Sequence, residues 1–175
     1  MKKNIITISR QFGSGGRTIA KQLAENLGYT YYDREIIEQV AKQSGFEEEF
    51  IAKHGEYAPG NSSLIYSFLG RNQQGLSTID QLWAMQRQLI LDYAQKGNCV
   101  IVGRCADYIL KERNDVLNVF IHASLPFREK RIVKVYGETE NSPEARILDK
   151  DKKRAINYKY YTDQNWGEAK NYHIT

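Results

Sequence analysis

Residues 6–27, ITISRQFGSGGRTIAKQLAENL, constrain this chain more than any other stretch, because they read as strand, glycine loop and helix in direct succession. Asn4-Ile5-Ile6-Thr7-Ile8-Ser9 is a short, mostly β-branched run of the kind a buried parallel strand needs. It leads through Arg10-Gln11-Phe12 into Gly13-Ser14-Gly15-Gly16-Arg17-Thr18. Ile19, Ala20, Leu23, Ala24 and Leu27 then recur at helical spacing, and Gly28 is placed to end the helix. Glycines let backbone NH groups approach an anion, and the helix behind them adds the positive end of its dipole. The constellation implies a phosphate cradle. The competing reading is a glycine-rich turn that binds nothing.

The strict Walker A pattern, G-x-x-x-x-G-K-S/T, is not met, and two registers are open. If Gly16-Arg17-Thr18 stands for G-K-T, Gln11 replaces the first glycine and Arg17 the lysine. If Gly15-Gly16-Arg17-Thr18 stands for G-K-G-T, Gly16 replaces the lysine and Arg10 the first glycine. Neither register contains a lysine, so Arg10 and Arg17 are the only cations near the loop. In the first register the Arg17 guanidinium would reach the phosphates; in the second Arg17 would lend its backbone NH while its side chain points away from them.

At 175 residues, with 41% hydrophobic and 26% charged, the chain suits one domain with its own core and argues against wholesale disorder. A net charge of +4 fits an anionic ligand without demanding nucleic acid. No apolar run is long enough to span a bilayer, and the strand after Met1-Lys2-Lys3 is too short for the core of a signal peptide. The expectation is therefore a cytoplasmic protein with no membrane partner. Cys99 and Cys105 have neither zinc nor C-x-x-C spacing and read as thiols.

Tyr29-Thr30-Tyr31-Tyr32 reads as a second strand ending at Asp33-Arg34, where Asp33 either contacts a ligand or caps the helix carrying Ile36, Ile37, Val40 and Ala41. From Gln43 to Ser77 glycines and Pro59 interrupt the periodicity, and His54 stands alone among polar residues. Ser77 and Asp80 form a capping box for a long helix with Ile79, Leu82, Trp83, Leu89, Ile90 and Tyr93 on its apolar face. Cys99 to Val102 is a third strand, ending in Gly103-Arg104; Arg104 reads as a ligand contact or a surface salt bridge. Leu117 to Ile121 is a fourth, followed by His122 and by a helix carrying Arg128 and Arg131 at i, i+3. The mixed-charge run from Arg146 to Arg154 is predicted helical, with a solvated face as its simplest role. Tyr158, Tyr160 and Tyr161 read as packing residues, and His173 to Thr175 as the start of a last strand. Alternating strands and helices predict one doubly wound α/β domain with a parallel sheet.

Four blocks occur in order along the chain: ITISRQFGSGGRTIAKQLAENLGYTYYDREII, NCVIVGRCADYIL, LNVFIHASLPFREKR and DKDKKRAINYKYY. With them the chain resembles the cytidylate kinase-like family of P-loop proteins, relatives of the nucleoside monophosphate kinases. The resemblance implies a single P-loop kinase-like domain over residues 1–175, with a helical substrate-binding insertion at about 43–77 and a lid at about 128–154. It also implies ATP and Mg2+ as cofactors, the nucleotide at Gly13, Ser14, Gly15, Gly16, Arg17 and Thr18, with Thr18 a phosphate contact and the metal ligands left open. Asp33, Arg34 and Arg104 would lie on the acceptor side, and Arg128, Arg131, Arg146 and Arg154 would be the catalytic lid arginines. The acceptor would be a small nucleotide, a nucleoside monophosphate with CMP favoured. The chain departs from the kinases in its missing loop lysine and in Cys105, where they carry an aspartate after Gly-Arg. A nucleotide-binding regulatory module without transfer activity is the alternative. A nucleic-acid binder is disfavoured, because Lys150 to Arg154 alternate with Asp149 and Asp151.

Overall fold

The computed structural model describes residues 3–48 and 78–175. Of the expected insertion at 43–77, all but residues 43–48 lies outside the described residues, and so do Ser77 and His54. Four parallel strands form the sheet: β1 (Ile5–Arg10), β2 (Thr30–Tyr32), β3 (Cys99–Val102) and β4 (Val116–Ile121), in the order β2-β3-β1-β4. All six residues of β1 are buried, because β1 is flanked by β3 and β4 and covered on both faces. This is the expected doubly wound α/β arrangement. Strand order switches at β1, with β3 and β2 on one side and β4 on the other, and such a switch point opens a crevice at the C-terminal ends of the strands.

Strand periodicity divides the core. Ile5, Cys99 and Ile101 pack on one face with Ile36 and Val40 of α2 (Arg34–Ser44) and Leu82, Leu89 and Ile90 of α3 (Thr78–Lys96). Ile6, Ile8, Val100 and Val102 pack on the other with Ala20 and Ala24 of α1 (Gly16–Leu27). The helix face differs from the expected one at its edges, since Ile19 and Leu27 are exposed. The buried stripe is Gly16, Ala20 and Ala24, one turn apart, whose small side chains let α1 lie close against the sheet.

On α3 the expected apolar stripe is buried, except that Trp83 is half-buried and stacks on Tyr161 at 3.9 Å. The polar Gln86 is buried within that stripe. A short α4 (Ala106–Ile109) follows β3, and α5 (Leu125–Tyr136) follows β4. The charge run belongs to α6 (Pro143–Thr162), where Ser142 Oγ accepts from the Ala145 amide at 3.2 Å and Pro143 opens the first turn. Its solvated face is only half the story. Ile147, Arg154, Asn157 and Tyr158 of α6 point inward, while Leu148, Asp149, Lys152 and Lys153 are exposed. The expected last strand is reduced to one parallel bridge from Ile174 to Val119, with the Phe120 amide donating to Ile174 O at 2.9 Å. Among the described residues no helix is long and apolar enough to cross a membrane.

Candidate active site

At the C-terminal end of β1 the Gln11 amide donates to Ile121 O at 2.9 Å, and the chain then turns through Gly13 and Gly15 at φ +81 and +88. Both values lie in the left-handed region that side chains disfavour. Gly13 is also a close approach: a Cβ there would sit 2.7 Å from Ile132 Cγ2 and 3.0 Å from Arg128 O, so α5 rests directly on the loop. Ser14 is turned inward, its hydroxyl donating to Gln11 O at 2.9 Å and its amide to the same oxygen at 3.3 Å. Helix α1 starts from Gly15 with no side-chain cap and no acid in its first turn. The NH groups of its first turn and its dipole therefore suit an anion.

A clasp holds the loop to the two helices above it. The Phe12 amide donates to Asp151 Oδ1 at 2.7 Å, and Arg128 Nε donates to Phe12 O at 2.9 Å. The other arm of the Arg128 guanidinium is hydrogen-bonded to the second oxygen of Asp151. Arg128, expected among the catalytic lid arginines, is thus 6% exposed, absent from the cleft lining and committed to the clasp. Helical geometry explains the split: Arg128 and Arg131 share a side of α5, but only Arg128 lies where that helix is pressed against the loop and α6. Removing one partner of a buried ion pair strands the other. Asp151→Ala is therefore expected to lose about 3 kcal/mol, read as a lower urea midpoint, and an unchanged midpoint would remove the clasp.

Between the loop, the β3 end and the two helices lies a cleft of about 660 Å³. Seven cationic residues line it, namely Arg10, Arg17, Arg104, Arg131, Arg146, Lys150 and Arg154, and no carboxylate is among its described lining residues. Such a single-sign wall concentrates anions. Arg131 NH2 donates to Thr18 Oγ1 at 2.8 Å and its guanidinium passes beside Gly15. Arg146 NH1 donates to Gly137 O at 2.7 Å, and Arg154 NH1 donates to Arg10 O at 3.2 Å. Arg146, Lys150 and Arg154 are spaced i, i+4, i+8, so one face of α6 turns three charges into the cleft. They converge on a hollow and make no outer basic surface.

The residues expected on the acceptor side separate. Arg104 is not at the surface: it is 6% exposed, lines the cleft, and donates from NH1 to Gln86 Oε1 at 3.1 Å. Gly103, Arg104 and Cys105 are all left-handed, at φ 69, 59 and 54, and this turn swings Arg104 inward. Asp33 does not cap α2 through its side chain. Its carboxylate takes Arg17 Nε at 2.8 Å and the Tyr31 hydroxyl at 3.3 Å. Burial, with Asp33 adding to it, pushes the Tyr31 phenol up to about 12, so it stays a donor. Arg17 is thus directed to the β2 end and not folded back over the loop. Arg34 is exposed, pairs with Glu38 and Glu48 at 3.4 Å each, and does not line the cleft.

Sequence reasoning missed Lys150 as a cleft residue, the Asp151 anchor, the Gln86 support and an apolar wall of Phe12, Ile37, Val135 and Tyr136. Phe12 stacks on Tyr136 at 5.4 Å, and Lys150 Nζ lies 5.4 Å over the Phe12 ring. The i+4 spacing of Lys150 was a usable signal, and so was a glutamine inside the α3 stripe; nothing local marks Asp151. Behind the Arg104 turn, burial raises the Asp107 carboxyl although the Tyr158 hydroxyl donates to it at 2.7 Å. Among the described residues no cluster of three or more acids, histidines or cysteines could hold a metal ion by itself.

Comparison with known proteins agrees with this architecture. The model of the cytidylate kinase-like family matches residues 5–175. A cytidylate kinase of Pyrococcus horikoshii is 29% identical over 159 residues, 89% of this chain and 71% of that relative. One from Archaeoglobus fulgidus is 30% identical over 166 residues, 92% of this chain and 79% of the relative. Among solved structures, an uncharacterized protein from Eubacterium ventriosum superposes with a TM-score of 0.71 at 26% identity, covering 97% of this chain and 84% of that one. A shikimate kinase from Bacteroides thetaiotaomicron shares the fold, with a TM-score of 0.54 at 14% identity over 97% and 84% of the two chains.

Proposed function

The chain belongs to the cytidylate kinase-like family, and from that premise we propose that it transfers the terminal phosphoryl group of ATP to a nucleoside monophosphate, with CMP the favoured acceptor. The observation that carries this reading is the cleft itself: seven cations and no described carboxylate in its lining, beside a glycine loop at a helix N-terminus. A triphosphate and a monophosphate together bring enough negative charge to balance such a wall. The loop NH groups around Gly15 and Gly16 would take the donor phosphates, and Arg131 would close on them from α5. Arg104 would face the acceptor phosphate, with Arg17 and Asp33 fixing that edge. The apolar wall of Phe12, Val135 and Tyr136 suits a base.

Bond exchange needs little covalent help from the protein. An acceptor phosphate oxygen is already anionic, attacks in line at the γ-phosphorus, and the ADP oxygen leaves as that P–O bond breaks. What the chain supplies is alignment and compensation of charge spread over the transferring group, through Arg131, Arg146, Lys150 and Arg154. Magnesium bound with the nucleotide would supply charge neutralisation, and the Thr18 hydroxyl, which lines the cleft and here accepts from Arg131, would be the loop side chain to hold it. The segment from about 128 to 154 would act as the lid, anchored to the loop near both ends through Arg128 and Asp151. An assay of ADP production across CMP, UMP, AMP and GMP tests the proposal. CMP should turn over fastest, and no ADP with any acceptor would sink it.

The missing loop lysine favours a second reading, a module that binds nucleotide without transferring phosphoryl. ATP binding by calorimetry with no turnover would select it. Because Gln86 orients Arg104, Gln86→Leu is expected to raise the acceptor KM about tenfold with a smaller change for ATP, a hydrogen bond to a charged group being worth roughly 1.5–3 kcal/mol. Equal KM values in the two proteins would detach Arg104 from the acceptor.

A further inference from the structure

Gly16 is a glycine for a reason its backbone does not supply. It lies inside α1, outside the left-handed region, where any residue would be tolerated. What excludes a side chain is Arg10: a Cβ at position 16 would stand 2.5 Å from Arg10 Cβ and 2.9 Å from its Cγ. From there the Arg10 stem runs across to the β3 end, where its guanidinium occupies the space that a Cβ on Gly103 would need. The side chain is only 6% exposed, yet it lines the cleft. Arg104 and Arg154 line the same cleft, and all three also border the small hollow behind it. A residue at position 16 and a residue at position 10 therefore compete for one space, and in this chain the long cation grows from 10.

We infer that Arg10 replaces the loop lysine, its guanidinium bridging the terminal phosphate of the donor and the acceptor side of the cleft. The inference rests on the phosphoryl-transfer reading and deepens it. A group passing from the glycine loop to the Arg104 side must cross the space between β1 and β3, and the Arg10 fork ends at that crossing. Arginine keeps its charge throughout and offers two parallel donors to phosphate oxygens, where lysine offers one mobile point. Its packing under α1 also positions it in advance, so little freedom is lost when the phosphate arrives.

Arg10→Gln keeps most of the stem and removes the charge. Turnover should fall at least about 100-fold, as for the loss of a cation acting on the transferring group, and the preference for ATP over ADP in calorimetry should fall at least about tenfold. Arg10→Lys should recover part of both. The reciprocal exchange is the stricter measurement: Gly16→Lys alone should be inactive from the collision, whereas Arg10→Gly with Gly16→Lys should regain activity. Arg10→Gln with turnover and ATP preference within twofold of wild type overturns the inference. If wild type transfers phosphoryl to no acceptor, the transfer reading fails, and retention or loss of the ATP preference in Arg10→Gln still decides the role of Arg10. If Arg10→Gln does not fold, judged by circular dichroism, a double variant no more active than Gly16→Lys overturns it.

Discussion

Gly15→Val is expected to leave a folded protein whose ATP affinity has dropped about 100-fold or more, the loss expected when two or more amide contacts to an anion disappear at roughly 1.5–3 kcal/mol each. Gly15 sits at φ +88, where a β-branched residue is strained by about 1–2 kcal/mol. Relief of that strain rotates the flanking peptides, which are the ones that present NH groups to the cleft. The new side chain also meets the Arg131 guanidinium, whose Nε would lie 3.4 Å from the added Cβ, so the cation over the loop is displaced as well. The atoms nearest to that added Cβ belong to Arg131 and not to the core, and the melting temperature should move by only a few degrees. Calorimetry with ATP is the measurement. Affinity within threefold of wild type would end the reading of residues 13–18 as a phosphate cradle.

Arg131→Ala should lower kcat by about 100-fold while shifting the urea midpoint little, since only transition-state charge stabilisation is removed. Its guanidinium bonds the exposed Thr18 hydroxyl at 2.8 Å and spans from α5 to α1 over the open cleft, so it supports little packing. Arg128→Ala, three residues away, should do the reverse to stability, because Asp151 and the Phe12 carbonyl lose a buried donor. Measured together, the two variants test whether α5 carries one cation for chemistry and one for architecture. A wild-type kcat in Arg131→Ala removes that residue from the reaction.

The strand-loop-helix unit, the parallel strands and the long helices were legible in the sequence because each rests on local periodicity and on glycines where the chain must turn left-handed. So was the glycine turn proposed to hold an anion: β-branched residues, then Gly13 and Gly15, then a helix without an acid in its first turn form one continuous stretch. Less was legible of how the arginines divide their work. Arg128 and Arg131 look equivalent at i, i+3, and only the contact of α5 with the loop separates them. Asp33 before a helix looks like a cap, and only the nearby Arg17 guanidinium shows that its carboxylate faces elsewhere.

What the sequence by itself determined is the four strands, the long helices and the glycine turn proposed to hold phosphate, since these follow from interactions within a few residues. Which cations share that place was decided by the tertiary structure. Arg10 and Arg104 reach one cleft because β1 and β3 are adjacent in register, Ile8 opposite Val102, so that their ends turn out side by side. Arg131, Arg146, Lys150 and Arg154 arrive there because Asp151 and Arg128 pin α5 and α6 onto Phe12. These contacts join β1 and the loop to residues more than ninety positions away, and a charge spaced at helical period does not say which neighbour its face will meet.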